Sequence, residues 1–229
     1  MRRKTRKDTT ISPNTQVFLP KIWRYGKNVV ILQHKSVNFC EVMQQTLYII
    51  AGCNGAGKTT ASLTMLPEIW KCKEFVNADE IARGPSPFNP EGVAIQAGRI
   101  MLKRIEYLLK EKVTFSIETT LATRTYVQLI KRAKAQGYVV NLLFFWLPSP
   151  NMARKRVDKR VAEGGHDIPT EVIERRYYLG ISNFFTLYKD LVDFWTLVDN
   201  AGNPRRVIAD IDGIYNEPLY NEIQTTYVK

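Results

Sequence analysis

Histidine, cysteine and long apolar runs are scarce in this chain, and each shortage removes a class of function. His34 and His166 are the only histidines in 229 residues. That leaves little room for a histidine-built metal centre or a Ser-His-Asp triad. Cys40, Cys53 and Cys72 are an odd set without metal-ligand spacing, which suits a reducing compartment without disulfides. No window offers the roughly 18 uncharged apolar residues of a membrane span. The basic N-terminus is not followed by the apolar run of a secretory signal. A cytoplasmic protein with no membrane partner is expected. Zinc-finger spacing, an RNA-binding aromatic signature, internal repeats and low-complexity tracts are all missing from the sequence.

Positive charge, by contrast, is in excess, and it is unevenly placed. The formal net charge is +11. Residues 1–45 hold nine Lys and Arg against two acids, and the rest of the chain holds 24 against 20. More than half of the excess therefore sits at the N-terminus, where Met1–Thr10 is a like-charge run typical of solvated tails. Nucleic acid is an unlikely partner for the remainder, whose mild basicity suits a polyanionic nucleotide. Residues 1–42 are expected to be a poorly ordered basic extension, with a short strand at Asn28–Leu32. A single domain is expected over 43–229, and Met43 stands just before its first core strand.

The most specific motif is Gly52-Cys53-Asn54-Gly55-Ala56-Gly57-Lys58-Thr59, which fits the phosphate-binding P-loop at every defined position. Leu47-Tyr48-Ile49-Ile50-Ala51 leads in as a buried strand, and Thr60 onward reads as a helix. The glycines let backbone N–H groups turn towards phosphate oxygens, and the helix N-terminus adds partial positive charge. Lys58 is expected to reach the β- and γ-phosphates, Thr59 to ligate Mg²⁺, and residues 52–60, ending at Thr60, to hold ATP.

Downstream, strand and helix patterns alternate. Strands are expected at 46–51, 74–78, 113–117, 139–147, 194–199 and 205–209, and helices at about 91–110, 124–136, 150–163, 170–191 and 217–226. The 91–110 helix carries a stripe of Val93, Ala97, Ile100, Met101, Ile105, Leu108 and Leu109. This alternation predicts an α/β, kinase-like P-loop fold, a mainly parallel sheet sandwiched by helices. In such sheets the ligand lies at the carboxyl ends of the strands. Polar residues there are the candidates for chemistry. Asp79, after the second strand, is the first choice for a base that accepts an acceptor hydroxyl's proton. Glu118, after the third, is a second acid near metal or substrate. Either could instead be a helix cap or a turn residue. The basic stretch 152–161 places Arg156 and Arg160 one turn apart on one row of a helix, as an arginine-bearing lid would. The flexible turn 162–169 follows, then Arg175 and Arg176. A solvated basic face is the plainer alternative.

Taken together, LYIIAGCNGAGKTT, FVNADEIARGPSPFNPE, SIETTLATR and RVDKRVAEGGHDIP followed by RRY resemble the zeta-toxin-like P-loop kinases. The match is closest to the bacterial branch often labelled predicted ABC-type ATPases, over roughly residues 46–210. The resemblance implies ATP, Mg²⁺ and phosphoryl transfer. In characterised zeta toxins the acceptor is a sugar hydroxyl of a UDP-N-acetylhexosamine, and an antitoxin partner blocks the ATP site. By motif the implied base is Asp79, the acid of the third strand is Glu118, and the lid arginines are Arg156 and Arg160. Thr119 and the Thr123-Arg124 pair that ends SIETTLATR are implied on the substrate side. Glu118-Thr119-Thr120 stands where the long Gram-positive toxins tend to have a glycine after the acid, in the loop that should touch the acceptor. No LSGGQ-like signature supports the ABC label. Besides a small-molecule kinase, two readings stay open: a polynucleotide kinase or nucleic-acid-linked ATPase, and a non-catalytic nucleotide-binding switch.

Overall fold

The computed structural model describes residues 21–25, 28–32, 44–86 and 90–228. Two compact units divide the chain, Met1–Phe39 and Cys40–Lys229. In the first, β1 (Lys21–Tyr25) and β2 (Asn28–Leu32) form an antiparallel hairpin that pairs Lys21 with Leu32 and Tyr25 with Asn28. β2 is the short strand anticipated at those residues. β1 was not anticipated, because Lys21-Ile22-Trp23-Arg24-Tyr25 neither alternates nor forms a continuous apolar run. The expectation of a poorly ordered 1–42 otherwise falls outside the described residues, as do Met43, His34 and Cys40.

The second unit is built on a seven-stranded sheet in the order β4-β5-β3-β6-β7-β8-β9. β3 (Thr46–Gly52) lies between β5 (Phe115–Thr119) and β6 (Val139–Trp146). β4 (Glu74–Val76) and β7 (Phe194–Asp199) flank them, and all four pairings are parallel. β8 (Arg206–Asp210) and the two-residue β9 (Gly213–Ile214) add an antiparallel edge. Leu47, Ile49, Ile50 and Ala51 of β3 are all buried. Consecutive buried residues mean that helices cover both faces, as parallel sheets require.

The helices follow the expected order with informative differences at their ends. α1 (Lys58–Glu68) starts at the P-loop lysine itself. α2 (Ala78–Arg83) is a short helix where the sequence reading extended the second strand to residue 78. Asn77 ends that strand early, because its side chain accepts from the Asp79 N–H at 2.9 Å and caps the helix. A 3₁₀ turn (Pro90–Val93) precedes α3 (Ala94–Lys110), whose buried stripe is Ala97, Met101, Ile105, Leu108 and Leu109. α4 (Thr125–Ala135) is followed by Gly137 at φ 88°. α5 (Pro150–Ala162) is capped by Ser149, whose hydroxyl accepts from the Met152 N–H at 3.1 Å.

α6 (Thr170–Asn183) widens into a π-helical turn at Phe184–Tyr188, where an unbroken helix to 191 was expected. The wider turn buries Phe184 and Phe185 together against Phe144, Trp195 and Tyr220. α7 (Glu217–Tyr227) closes the unit. Among the described residues no helix is long and apolar enough to cross a membrane.

Candidate functional site

The phosphate loop is held from three sides before any ligand arrives. Gly52 ends β3, and a side chain there would run into the Phe145 carbonyl of the neighbouring strand. Gly55 has φ 75°, and an added Cβ would sit 2.5 Å from the Ala153 carbonyl of α5. Gly57 has φ 81°, and its Cβ would sit 2.7 Å from the Asn200 amide nitrogen. These positions need glycine for both backbone hand and space. The loop's shape is therefore fixed by its packing against β6, α5 and the segment after β7. The Cys53 thiol is buried, and burial pushes its pKa up to about 11 despite nearby Lys58. It stays protonated and inert. Its carbonyl matters more, because Lys58 Nζ donates to it at 3.0 Å.

Glu118 sits opposite. It is the fourth residue of β5, paired in register with Ile50 of β3, and not in the loop beyond the strand. The register carries its carboxylate to the start of α1. The Thr59 hydroxyl reaches both its oxygens, at 3.0 and 2.9 Å, and Lys58 Nζ lies 3.7 Å from Oε1. Burial is the largest influence on Glu118 and raises its pKa above the ordinary 4.5. Lys58 and Thr59 oppose that rise, and the negative charges of Asp79 and Glu80 add to it. Asp79 is exposed in the first turn of α2, close enough for its charge to be felt at Glu118 and at the Tyr126 hydroxyl. Tyr126 of α4 also interacts with the Thr119 side chain, and burial raises its pKa. Thr119 Oγ1 accepts from the Leu121 N–H at 3.0 Å. Arg124 is exposed at the position just before α4, where its side chain makes no capping hydrogen bond.

Arginines surround the loop, but the sequence row does not share one destination. Arg156 is beside the P-loop. Its Cβ would lie 3.3 Å from a Cβ at Gly55, and its Nη2 donates to the Asn200 and Ala201 carbonyls at 2.9 and 3.1 Å. Arg160, one turn on, donates to the His166 carbonyl at 3.1 Å and braces the α5–α6 turn. Arg176 of α6 donates to the side-chain oxygen of buried Asn54 at 3.2 Å. Arg205 donates through Nε to Asn200 Oδ1 at 2.8 Å and lies over the Phe145 ring. Its pKa is lowered by burial first and by Arg156 second. None of Arg156, Arg176 and Arg205 forms an ion pair among the described residues. A cavity of about 450 Å³ opens between the end of α2 and the α5–α6 turn, lined by Arg83, Arg160, Glu163, Gly164 and Gly165.

The family model described as Zeta toxin matches residues 30–203, well over half of the chain. The chain belongs to the zeta toxin family. Its sheet is the mostly parallel sheet of the P-loop kinase fold. Among solved structures it is similar to the AvrRxo1-ORF1:-ORF2 complex with ATP, at 19% identity and TM-score 0.65. That likeness covers 79% of this chain and 63% of the other, so this chain spans under two-thirds of that relative's length. It is also similar to the PezAT chromosomal toxin-antitoxin system of Streptococcus pneumoniae, at 16% identity and TM-score 0.60, over 81% of this chain and 78% of that one. An uncharacterized protein of Haemophilus influenzae is 27% identical over 151 residues, 66% of this chain and 98% of its own.

Within this zeta toxin fold Lys58, Thr59 and Glu118 meet directly, with Asp79 near them. Asn200, Arg205, Arg176 and Tyr126 stand at the same site and were not singled out as site residues from sequence. Asn200 and Arg205 lie after β7, far from every glycine motif, and only the fold returns them to the loop. Arg176 was noticed as one of a pair without a destination. The cradle of Gly52, Gly55 and Gly57, with guanidiniums around it that no carboxylate neutralises among the described residues, fits a polyphosphate. Thr59 and Glu118 together offer the hard oxygen donors that Mg²⁺ takes.

Proposed function

We propose that this protein moves the γ-phosphoryl group of ATP to a hydroxyl of a small metabolite, a UDP-activated amino sugar, as the toxin of a toxin–antitoxin pair. One observation carries the reading. Lys58, Thr59 and buried Glu118 converge at the strand ends beside the helix that bears Asp79. A nucleotide switch needs no carboxylate facing the acceptor side.

In the step itself the acceptor oxygen attacks the γ-phosphorus, the bond to the β–γ bridging oxygen breaks, and ADP leaves. Asp79 takes the hydroxyl proton. Lys58 and Arg156 balance charge that spreads over the phosphoryl oxygens. Thr59 and Glu118 would hold Mg²⁺, which supplies Lewis-acid charge neutralisation on the phosphates. The cavity by Arg83 supports an acceptor site there, because Asp79 and Arg83 lie one turn apart on α2. Arg160 at its wall keeps its role as a lid arginine in this reading. Thr119 and Arg124 are assigned to the acceptor side. Family membership and the PezAT likeness support the toxin–antitoxin role.

The test is an ATP-consumption screen against pooled metabolites and 5′-hydroxyl nucleic acids, with products identified by mass spectrometry. A UDP-amino sugar gaining one phosphoryl group is the predicted product. A phosphorylated nucleic-acid end would move the protein to the polynucleotide kinases. Binding of ATP without any transfer would leave the switch.

A further inference from the structure

Asn200 occupies a position that the phosphate loop depends on and that no sequence motif marks. It follows β7 directly and is buried. Its backbone N–H donates to the Trp146 carbonyl at 3.0 Å, which fastens it to the end of β6. Its side-chain nitrogen donates to the Ala56 carbonyl at 2.6 Å, inside the P-loop. The other side of the same amide accepts from Arg205 Nε at 2.8 Å. An arginine can only donate, so this bond fixes the amide with its nitrogen towards the loop. Finally, the Asn200 carbonyl accepts from Arg156 at 2.9 Å.

One residue thus joins the loop, the α5 arginine and Arg205. The two guanidiniums it gathers have no carboxylate partner among the described residues. They repel each other and lie close to the loop, so a polyphosphate placed there would relieve the repulsion. Gly57 is part of the same device, since its missing side chain makes room for the amide. We infer that Asn200, oriented by Arg205, is a positioning residue that clamps the phosphate loop and holds Arg156 against it. The inference rests on the proposed use of ATP and adds the residues that shape its site.

The experiment is calorimetry of Mg·ATP binding to the full chain, with thermal melts of each nucleotide-free variant. Asn200→Ala leaves the buried Ala56 carbonyl unpaired, and Mg·ATP binding should weaken about tenfold. Asn200→Asp keeps the size and the bond from Arg205 but cannot donate to Ala56, so it should weaken binding at least as much. Arg205→Lys retains the charge and loses the orienting Nε, and it should fall between wild type and Asn200→Ala. It is also the mildest change, which keeps the idea testable if Asn200→Ala does not fold. A purely structural residue would lower the melting point and add independently to Arg156→Ala. A clamp predicts coupling, so that Arg156→Ala should cost less ATP affinity in the Asn200→Ala background than alone. Wild-type affinity in both Asn200→Asp and Arg205→Lys, or strict additivity with Arg156→Ala, would overturn the inference. Failure of the wild-type protein to bind Mg·ATP would instead overturn the kinase reading and this inference with it.

Discussion

Lys58 and Glu118 form the pair on which the site turns. Lys58 is buried, and among the described residues it is partnered by a loop carbonyl at 3.0 Å and the Glu118 carboxylate at 3.7 Å. Its charge is free to shift to a phosphate. Lys58→Ala should remove a charge-assisted contact of roughly 1.5–3 kcal/mol. Mg·ATP binding should weaken roughly tenfold to a hundredfold, as calorimetry would read it. Glu118 makes a pH prediction. Because burial raises its pKa above 4.5, it gains its proton at a higher pH than an ordinary carboxyl group. Protons therefore compete with Mg²⁺ for Glu118 from a pH above 4.5, and the fall of Mg·ATP affinity on acidification should be shallower in Glu118→Gln than in wild type. Stability runs in the other direction. With the folded value above the unfolded one, this group's contribution is complete below the unfolded value and is lost as pH rises through the folded value. The same pH dependence in wild type and Glu118→Gln would remove Glu118 from the metal site. Lys58 and Thr59 were legible in the sequence because the P-loop motif fixes their spacing to the glycines. Glu118 was legible as a strand-end acid. Its contact with Thr59 was not, since that depends on the register of β5 against β3.

The same divide appears in the elements. The parallel strands were readable as continuous apolar runs, because burial on both faces of the sheet imposes them, and the long helices from their 3.6-residue apolar stripes. Some short elements were not. β1, β9 and α2 span five, two and six residues, too few for a period to show. The π turn at Phe184–Tyr188 answers to aromatic packing from distant strands, which no local window contains. Element ends also carry function here. α5 begins at the Ser149 cap and brings Ala153 and Arg156 against the loop. Ser149→Ala should cost about 1 kcal/mol. In a domain of this size that lowers the melting midpoint by about 2–4 °C. Since α5 walls the Gly55 turn, Mg·ATP affinity should fall as well. An unchanged melting curve would mean that the cap is not what starts this helix.

At the scale of the whole molecule the chain divides into Met1–Phe39 and Cys40–Lys229, and every site residue named above lies in the second unit. A protein beginning at Met43 should fold and bind Mg·ATP as tightly as the full chain, a result that calorimetry and a single melting transition would establish. Loss of solubility or of binding would show that the first unit contributes to the second. The kinase-like sheet and the zeta toxin family were both readable from motifs spread along the chain. The gathering of Asn200, Arg205 and Arg176 around the loop was not, because it is a product of the closed fold. The central claim is that this site transfers a phosphoryl group with Asp79 as base. Single-turnover transfer from γ-labelled ATP to a UDP-N-acetylhexosamine, compared among wild type, Asp79→Asn and Glu118→Gln, tests it most directly. Asp79→Asn should bind Mg·ATP normally and transfer about 10²–10⁴ times more slowly. Near-wild-type transfer by Asp79→Asn beside a dead Glu118→Gln that still binds ATP would reverse the two roles, and activity in both variants would contradict the account.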